Sequence, residues 1–355
     1  MKKSLKKARE RVHLFTATTA DELWSQPIEK IRHRQGTIEQ PSRDGLTLEL
    51  LHTCLVLENP LQRWVVNRVP AMNPAFALAE VVWILNGRND SAFLNFWNPK
   101  LPKFQGSGDM YHGAYGFRLR RLFGIDQVRK SYETLAQVPH SRQVVLQIWD
   151  PRGDLPVENG QPRDQDIPCN LCAMVKVREG KLEWVQVMRS NDLVLGLPHN
   201  LVQFTYLQEM FAAWLGCGIG TYTHFSDSLH IYNRDIDALD CVNTDAPQPN
   251  TDRWSTGFDE TMILIEELAD RMDIMRQQGV TEKHLHRACT APDIPRVAQN
   301  LLWIVGADAA RRWQMSDLSK TLAKQCSNPS LTQMWNQWLR RQEDRHVREL
   351  RRNDE

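Results

Sequence analysis

The spacing of apolar residues predicts a buried helix over residues 74–85. Pro74 suits a first helical turn, and one broad apolar face follows from Phe76, Leu78, Val81, Val82 and Leu85. Glu80 falls within that face. A carboxylate in apolar surroundings costs free energy unless another group engages it. Glu80 is therefore either a functional residue or the partner of a nearby arginine or backbone donor.

Further along the chain, the pattern predicts strands, a helix and another strand. Residues 142–149 (RQVVLQIW) have a pattern typical of a strand. Residues 173–178 and 182–188 alternate apolar and polar positions around a Glu-Gly-Lys turn, as in a hairpin. Residues 201–215 have the spacing of an amphipathic helix that ends before a glycine, and residues 221–232 again indicate a strand. This order predicts an α+β fold with a mostly antiparallel or mixed sheet and packed helices.

The character of the sequence changes after about residue 240. A stretch rich in Pro, Asn and Asp over 245–252 leads into three or four helical patterns. The last sixteen residues hold six arginines and five acidic residues, which is typical of a solvated helix. We therefore predict a core over residues 1–240, with a basic N-terminal arm over about 1–30, and a helical C-terminal extension over 241–355.

Composition narrows the class of protein. The 355 residues include 44 Lys+Arg and 43 Asp+Glu, for a formal net charge of +1, and 41% of them are hydrophobic. These values are typical of a globular protein and exclude wholesale disorder. Nucleic-acid binders usually carry a basic excess, so no nucleic-acid partner is expected. An anionic ligand would have to be held by a few placed arginines.

The cysteines and the apolar segments indicate a cytoplasmic protein. Seven cysteines are scattered along the chain, and no apolar run of a secretory signal follows the basic N-terminus. An odd number of dispersed cysteines favours a reducing setting. The least charged stretch, 193–226, contains Glu209 and is interrupted by Pro198 and four glycines. It therefore predicts soluble core and no membrane span.

The segment Pro168-Cys169-Asn170-Leu171-Cys172 allows three interpretations. The two thiols could be structural and buried at a strand edge. They could belong to a zinc site, but the upstream His-x-Glu of the zinc deaminases and a second Cys-x-x-Cys are missing. The first thiol could instead be a nucleophile, which would need cationic neighbours to favour the thiolate.

The block MRSNDLVLGLPHN at 188–200 favours the nucleophile. Arg189 and Ser190, at a predicted strand end, could clamp a phosphate with a guanidinium fork and a hydroxyl. A glycine and a proline then mark a tight connection into the helix, which Asn200 begins. Asn200 could act only as a helix N-cap. Alternatively, its amide could match N3–H and O4 of a uracil.

Together these motifs resemble the thymidylate synthase family, which includes the pyrimidine nucleotide hydroxymethylases. The family's pattern is Pro-Cys-His, then Arg-Ser-x-Asp-x-x-Leu-Gly-Leu-Pro-x-Asn, then His-x-Tyr. Here it reads PCN at 168–170, RSNDLVLGLPHN at 189–200 and HIY at 230–232. Fainter matches are SRDG (42–45), AEVVWILNGRND (79–90), AYGFRLR (114–120) and HSRQVVLQIWD (140–150). The resemblance covers roughly residues 40–235 and implies a thymidylate synthase-like mixed sheet.

The resemblance implies a folate-dependent enzyme that transfers a one-carbon unit to C5 of a pyrimidine nucleoside monophosphate. Cys169 would attack C6 of the ring, which turns C5 into a nucleophile. Arg189 would bind the phosphate and favour the Cys169 thiolate. Glu80 would assist, through water, proton movements at O4 and at the transferred carbon. Tyr115 would help to remove the C5 proton through a water relay.

The resemblance also implies how the nucleotide is held. Ser190 and Arg43 would complete the phosphate site. Arg142 would reach that site from the other subunit, because the family is a homodimer with shared active sites. Asn200 would recognise the base.

Two further groups of contacts follow from the same resemblance. His230 and Tyr232 would bind the sugar 3′-hydroxyl. Asp192 would contact the pterin of 5,10-methylenetetrahydrofolate, the co-substrate, and Trp97 would lie beside the folate. No metal is implied.

Four features depart from an ordinary thymidylate synthase. Asn170 replaces the family's histidine, Gln143 replaces its second arginine, the upstream lysine and threonine-glycine signatures are sparser, and the chain ends in RRNDE without the family's closing tail. A closed, dry site lets folate deliver hydride and gives a methyl group, whereas a wetter site lets water add and gives hydroxymethyl. Methylation of dUMP is the leading expectation. Hydroxymethylation of dUMP, dCMP or CMP is the alternative.

Two other classes of function stay open. A catalytically altered homologue could only bind nucleotide and use the helical extension for interactions, although a pure binder does not need the thiol of Cys169. A cysteine hydrolase that pairs Cys169 with His224 or His230 is the other possibility.

Overall fold

The computed structural model describes residues 11–42, 44–157, 159–236 and 245–353, with side chains described up to residue 344. Arg43, the predicted phosphate-binding arginine, lies outside the described residues. The same holds for residues 1–10 of the predicted basic arm and for the predicted boundary at 240–241.

One mixed sheet is built from the strands in the described part of the chain. The strands are β1 His13–Ala17, β2 Ile38–Ser42, β3 Gly45–Leu57, β4 Val145–Gln147, β5 Asn170–Arg178, β6 Lys181–Met188, β7 Asn191–Asp192 and β8 Gly218–Tyr232. Their order is β1-β3-β8-β6-β5-β4, with β2 also paired to β3 and β7 to β8. The β1–β3, β6–β8 and β7–β8 pairs are parallel, and the others are antiparallel. The predicted α+β class with a mixed sheet is confirmed.

Helices account for most of the remaining chain. They are α1 Ala20–Arg32, α2 Pro74–Leu85, α3 Ser91–Trp97, α4 Pro102–Gln105, α5 Tyr115–Phe117, α6 Gln127–Gln137, α7 Pro151–Asp154, α8 Leu197–Trp214, α9 Asn233–Ile236, α10 Phe258–Met275, α11 Glu282–Cys289, α12 Arg296–Arg312, α13 Ser316–Ala323 and α14 Pro329–Asn353. A π-helical turn, Arg118–Leu122, continues α5. No helix in the described part of the chain combines the length and apolarity that crossing a membrane requires.

Two elements occur where the sequence predicts them. Helix α2 has the predicted bounds, and Asn73 caps it because its Oδ1 accepts a hydrogen bond from Ala75 N at 3.0 Å. Strands β5 and β6 form the predicted hairpin. The turn between them needs two left-handed residues, Glu179 at φ 50° and Gly180 at φ 72°. Glycine adopts this conformation without the strain that a Cβ brings.

Helix α8 begins earlier than predicted. It starts at Leu197, after the N-cap residue Gly196, because Pro198 already has the fixed φ of a first turn and lacks the N–H that a first turn leaves unpaired. Asn200 therefore lies inside the first turn, where its N–H donates to Gly196 O at 3.0 Å. The N-cap interpretation of Asn200 is wrong. The predicted glycine stop is confirmed, with Gly216 at φ 62° after the helix.

The strand predicted over 142–149 is shorter, since β4 covers only Val145–Gln147. The N–H groups of Ile148 and Trp149 both donate to the same carbonyl, Leu171 O, at 2.9 and 3.0 Å. Two successive donors cannot share one acceptor in a regular ladder. The chain therefore leaves the sheet at this point.

The C-terminal helices α10–α14 share the buried core of the sheet and its helices. Helices α10, α12 and α14 all contact α2, the helix that carries Glu80. Asn86 Nδ2, at the end of α2, donates to Ile265 O of α10 at 2.9 Å. At the start of α2, Asn73 Nδ2 donates to Asp308 Oδ2 of α12 at 3.4 Å. The extension thus holds both ends of α2.

Candidate active site

The β5–β6 hairpin places Cys169 beside Arg189. Asn170 pairs with Met188 in the hairpin register, so the residue before β5 faces the residue after β6. Arg189 N donates to Cys169 O at 2.9 Å. The thiol and the guanidinium are therefore carried by neighbouring backbones, although they are far apart in sequence.

Backbone carbonyls hold the Arg189 guanidinium next to the loop that precedes Cys169. Its Nε donates to Pro168 O at 3.0 Å, and one terminal nitrogen donates to Ile167 O at 3.1 Å. The guanidinium also lies 5.5 Å from the ring centroid of Trp149. A cation fixed in this way is preorganised for an anionic ligand or a developing thiolate.

The Tyr115 hydroxyl lies within electrostatic range of the other predicted catalytic groups. Burial raises its pKa well above the ordinary value, and the negative charges of Cys169, Asp166 and Glu80 raise it further. The positive charge of Arg189 opposes them. Cys169, Glu80 and Arg189 therefore all lie within electrostatic range of the Tyr115 hydroxyl, and their catalytic roles stay predictions. Because its pKa is raised, Tyr115 stays a neutral phenol at neutral pH.

A close approach of two backbones brings Tyr115 to α2. A Cβ added to Gly116 would lie 2.2 Å from Ile84 O. Only glycine allows this contact between the Tyr-Gly turn and the last turn of α2. On the other side, the Tyr115 ring stacks on Phe204 of α8, with centroids 6.0 Å apart and planes at 30°.

Among the residues that the structure describes, Glu80 is engaged by a histidine and by no arginine or backbone donor. His199 Nδ1 lies 2.9 Å from Glu80 Oε2, and the two side chains are 12% and 16% exposed. The His199 ring packs on Phe76, with centroids 5.1 Å apart. His199 was not assigned a role from the sequence. Its signal was its place inside the Leu-Gly-Leu-Pro-x-Asn match.

Predicted ligand-binding residues lie on and next to strands β7 and β8. Asp192 pairs with His230 in the parallel register of these strands. Ser190 Oγ lies 3.4 Å from His230 Nδ1. Asp192 Oδ1 accepts hydrogen bonds from Val194 N and Leu195 N, both at 2.7 Å. This carboxylate is thus fixed by the loop that leads into α8.

Tyr232 lies at the end of β8. Burial raises its pKa, as do the charges of Asp192 and Asp44, whereas a hydrogen bond with Ser42 and the charge of Arg234 lower it. The Arg234 guanidinium lies 4.2 Å from the Tyr232 ring centroid. Ser42 and Asp44 flank Arg43 in the sequence.

Asn200 is buried next to His199 in the first turn of α8. It is 6% exposed, and its Nδ2 donates to Gln203 Oε1 at 3.1 Å. A buried amide that a neighbouring amide holds in one orientation can discriminate between ligand donors and acceptors.

Two predicted residues lie away from this group. Arg142 is exposed and precedes β4 at the sheet edge. Trp97 is only 1% exposed and packs in the core, with Phe96 4.8 Å away edge to face. Its carbonyl oxygen accepts hydrogen bonds from Asn73 and from Arg312 of α12. The folate contact of Trp97 stays a prediction, and this burial gives it no support.

Asp166 is a buried carboxyl that the sequence analysis missed. Burial raises its pKa to about 6, and the hydrogen bond from Gly113 N to its Oδ2, at 2.7 Å, opposes that effect. Its place shortly before Cys169 was the available signal. Since Gly113 lies shortly before Tyr115, Asp166 fixes the loop that carries the phenol.

The departure at Asn170 is a core contact in this structure. Asn170 is 0% exposed, and its Oδ1 accepts a hydrogen bond from Gln186 Nε2 at 2.6 Å. Trp184 Nε1 in turn donates to Gln186 Oε1 at 3.0 Å. Asn170 therefore belongs to a chain of hydrogen bonds within the sheet that also contains Gln186 and Trp184.

The structure gives no support to the zinc and hydrolase interpretations. The six described cysteines form no disulfide with one another, and no cluster of metal-ligand side chains occurs among the described residues. His224 is 0% exposed, with Asn191 Nδ2 at 2.9 Å from its Nε2 and the Tyr222 hydroxyl at 2.9 Å from its Nδ1. Both ring nitrogens are occupied, so His224 cannot serve Cys169 as a base.

Comparisons with known proteins agree with the geometry. A family model described as thymidylate synthase matches residues 39–257. A deoxyuridylate hydroxymethyltransferase of Bacillus phage SP01 is 36% identical over 216 residues, covering 58% of this chain and 55% of the phage protein. Another, from Pseudomonas phage M6, is 34% identical over 188 residues, covering 50% and 52%. A putative thymidylate synthase of Methanothermobacter marburgensis is 32% identical over 215 residues, covering 59% and 88%. The chain thus spans about half the length of the two phage relatives.

Proposed function

The chain belongs to the thymidylate synthase family, and on that premise we propose that it transfers a one-carbon unit from 5,10-methylenetetrahydrofolate to C5 of dUMP. The observation that carries the proposal is the hairpin register that places Cys169 beside Arg189. Both residues, and Glu80, also lie within electrostatic range of Tyr115. A protein that only binds nucleotide would not need a thiol at this point.

The reaction begins with covalent addition. The Cys169 thiolate adds to C6 of the uracil ring, and the electron pair of the C5–C6 double bond moves toward C5 and O4. The carbanionic C5 then attacks the one-carbon unit of the folate. Arg189 stabilises the Cys169 thiolate, because its guanidinium lies next to the loop that carries the thiol. The same guanidinium binds the phosphate of the nucleotide.

Proton removal from C5 follows. Tyr115 is a neutral phenol, so it relays the proton through water and does not act as a phenolate base. Tetrahydrofolate then leaves as the proton departs, and an exocyclic methylene stays on C5. Hydride from tetrahydrofolate, which becomes dihydrofolate, turns this methylene into a methyl group, the product predicted from the sequence, whereas addition of water gives a hydroxymethyl group. In either case the C5–C6 double bond forms again and the Cys169 thiolate is expelled.

Nucleotide recognition is assigned to the groups along β7, β8 and α8. Arg189, Ser190 and Arg43 bind the phosphate, and His230 and Tyr232 bind the sugar 3′-hydroxyl. Asn200 recognises the uracil edge, supported by its burial and by its contact with Gln203. Asp192 contacts the pterin, supported by the two backbone N–H groups that fix its carboxylate.

We further propose that the protein is a homodimer that pairs through the outer face of the sheet. A row of apolar residues crosses this face, since Leu14 pairs with Cys54, Cys54 with Phe225, and Phe225 with Val187. Leu14 is 67% exposed and Val145, on the edge strand, is 49% exposed. A second copy would remove this apolar surface from water.

The dimer explains the position of Arg142. It is exposed just before Val145, at the edge of this apolar face, and could therefore reach a site on the facing subunit. Two inactive variants, Cys169→Ser and Arg142→Ala, should regain activity when subunits are mixed, because one site then contains both intact residues. Absence of complementation in verified mixed dimers would contradict a shared site.

The charge and the thiols support two coarser proposals. A formal net charge of +1 supports a small-molecule enzyme without a nucleic-acid partner. The absence of disulfides among the described cysteines is consistent with a reducing, cytoplasmic setting.

The proposed function is tested with dUMP tritiated at C5, incubated with and without methylenetetrahydrofolate. We expect folate-dependent tritium release and a product heavier by CH2 or CH2O, as measured by mass spectrometry. dCMP and CMP are included as competing substrates. No tritium release from any of the three, with the fold intact by circular dichroism, would favour a nucleotide binder.

A further inference from the structure

His199 and Glu80 form a pair that the predicted roles do not include. The pair rests on the contact of 2.9 Å between His199 Nδ1 and Glu80 Oε2. An ionised carboxylate only accepts hydrogen bonds, so Nδ1 is the nitrogen that carries the proton. The hydrogen bond from His199 occupies Oε2 of the carboxylate. The other oxygen, Oε1, has no hydrogen-bond partner in the described part of the chain.

Packing fixes the position of the His199 imidazole next to Glu80. Phe76 lies one helical turn before Glu80 on α2, and its ring packs on His199 with centroids 5.1 Å apart. Pro198 and Asn200 hold His199 in the first turn of α8. The side chains of His199 and Glu80 are 12% and 16% exposed, so the pair is shielded but not sealed from water.

The position of the imidazole also differs from the family's pattern. The residue after the nucleophile is Asn170, whose amide is buried against Gln186. The residue after Cys169 therefore supplies no imidazole to the site. The histidine in contact with the catalytic carboxylate comes instead from α8, one residue before the proposed base-reading Asn200.

We propose that His199 is a positioning residue that holds Glu80 as the base for water addition, so that the enzyme forms a hydroxymethyl product. This inference rests on the proposed function, since it concerns the C5-methylene intermediate of that reaction. Water adds through its oxygen to the exocyclic carbon while its proton passes to Glu80 Oε1. The electron pair of the methylene double bond moves to O4, then restores the C5–C6 double bond and expels the Cys169 thiolate. Water from solvent is the only co-reactant.

The test compares His199→Leu, which removes the donor, with His199→Asn, whose amide can still donate near the position of Nδ1. Each variant is assayed with C5-tritiated dUMP and methylenetetrahydrofolate, for tritium release and for product mass. We expect His199→Leu to lower formation of the hydroxymethyl product about tenfold or more, with tritium release and the KM for dUMP nearly unchanged. His199→Asn should restore most of the hydroxymethyl product. His140→Leu, at an exposed position, is the matched control.

Three outcomes would overturn the inference. One is a wild-type product that carries only CH2, which would leave the proposed function standing. Another is an unchanged hydroxymethyl rate in His199→Leu. The third is an equal loss of tritium release and product that His199→Asn does not restore, because this would make His199 a structural residue. Failure of the proposed function is distinct, since the wild type would then release no tritium.

Discussion

Two groups of polar side chains in this protein differ in burial and in how many of their hydrogen bonds are made: one is buried, and the other is only partly buried. The joint cluster, Asn250, Asp252, Asn300 and Asn328, is buried among the C-terminal helices, and Asn250 Nδ2 connects it to the rest of the core by donating to Leu61 O at 2.8 Å. Asn328 Nδ2 donates to Asn250 Oδ1 at 2.5 Å and to Asp252 Oδ2 at 2.6 Å, and Asn300 Nδ2 donates to Asp252 Oδ1 at 2.8 Å. Both oxygens of this buried carboxylate thus have donors.

The site cluster, Cys169, Arg189, Tyr115, Glu80 and His199, keeps unused hydrogen-bonding capacity. Glu80 Oε1 has no hydrogen-bond partner among the described residues, whereas Oε2 is held by His199. Because Glu80 is only partly buried, with 16% of its side chain exposed, water or a ligand can reach Oε1 and supply the partner. The comparison predicts that changes in the site cluster alter chemistry, and that changes in the joint cluster alter stability.

The largest effect is expected at the nucleophile. Cys169→Ser should lower turnover at least about a thousandfold, because the hydroxyl is a far weaker nucleophile than a thiolate. Binding of labelled dUMP, measured by equilibrium dialysis, should be largely kept. Cys172→Ser is the matched control, since Cys172 is also half-buried in the same segment and should do little when changed. An equal loss of turnover in Cys169→Ser and Cys172→Ser would contradict the special role of Cys169.

The next effect concerns the joint cluster. Asn328→Ala should lower the free energy of unfolding by about 2–4 kcal/mol, because it leaves Asp252 with one donor fewer and removes the cap of α14. The cap is the hydrogen bond from Ser330 N to Asn328 Oδ1 at 3.1 Å. Urea denaturation measures the change, and Asn159→Ala, at an exposed position, is the control. A kinetic defect without a loss of stability would contradict the structural role.

A third prediction is the pH dependence that His224 confers on stability. Burial lowers the pKa of His224 to about 3, whereas a histidine in an unfolded chain has a pKa of about 6.5. Between these pH values the histidine is protonated in the unfolded chain and neutral in the folded protein. The contribution of His224 to the free energy of unfolding is therefore fully present above about pH 6.5 and is lost as the pH falls toward about 3. Linkage gives about 1.4 kcal/mol per pH unit, or about 2 kcal/mol between about pH 6.5 and about pH 5.

Urea denaturation at several pH values checks this dependence. His224→Gln should flatten the slope, because the side chain no longer titrates. His140→Gln, at an exposed position, should keep the wild-type slope. A slope that His224→Gln leaves unchanged would show that other groups carry the acid sensitivity.

The smallest effect concerns base recognition. Asn200→Asp should shift the ratio of kcat/KM from dUMP toward dCMP by about tenfold, because the amide donor that we propose to contact the base becomes an acceptor. Competition between the two labelled nucleotides measures the ratio, and an unchanged unfolding midpoint confirms that the fold is intact. If both bases are used equally before and after the change, Asn200 does not read the base.

The sequence by itself determined several local elements and identified the candidate reactive groups. Helix α2 has its predicted bounds because Asn73, Pro74 and a continuous apolar face all favour the same element. The β5–β6 hairpin follows from strict alternation around Gly180. Cys169 and Arg189 could be proposed as the nucleophile and its cation because they lie within a long motif with fixed spacing.

Only the tertiary structure decided which partners these groups meet. The contact between His199 and Glu80, the burial of Trp97, and the position of Asp166 depend on how α2, α8 and α12 pack, and no local pattern encodes the distance between residues of different elements. The start of α8 also escaped prediction, because Pro198 fits both a loop and a first helical turn. Local periodicity is fixed by backbone geometry, whereas the polar partner of a buried side chain is fixed by the packing of the whole chain.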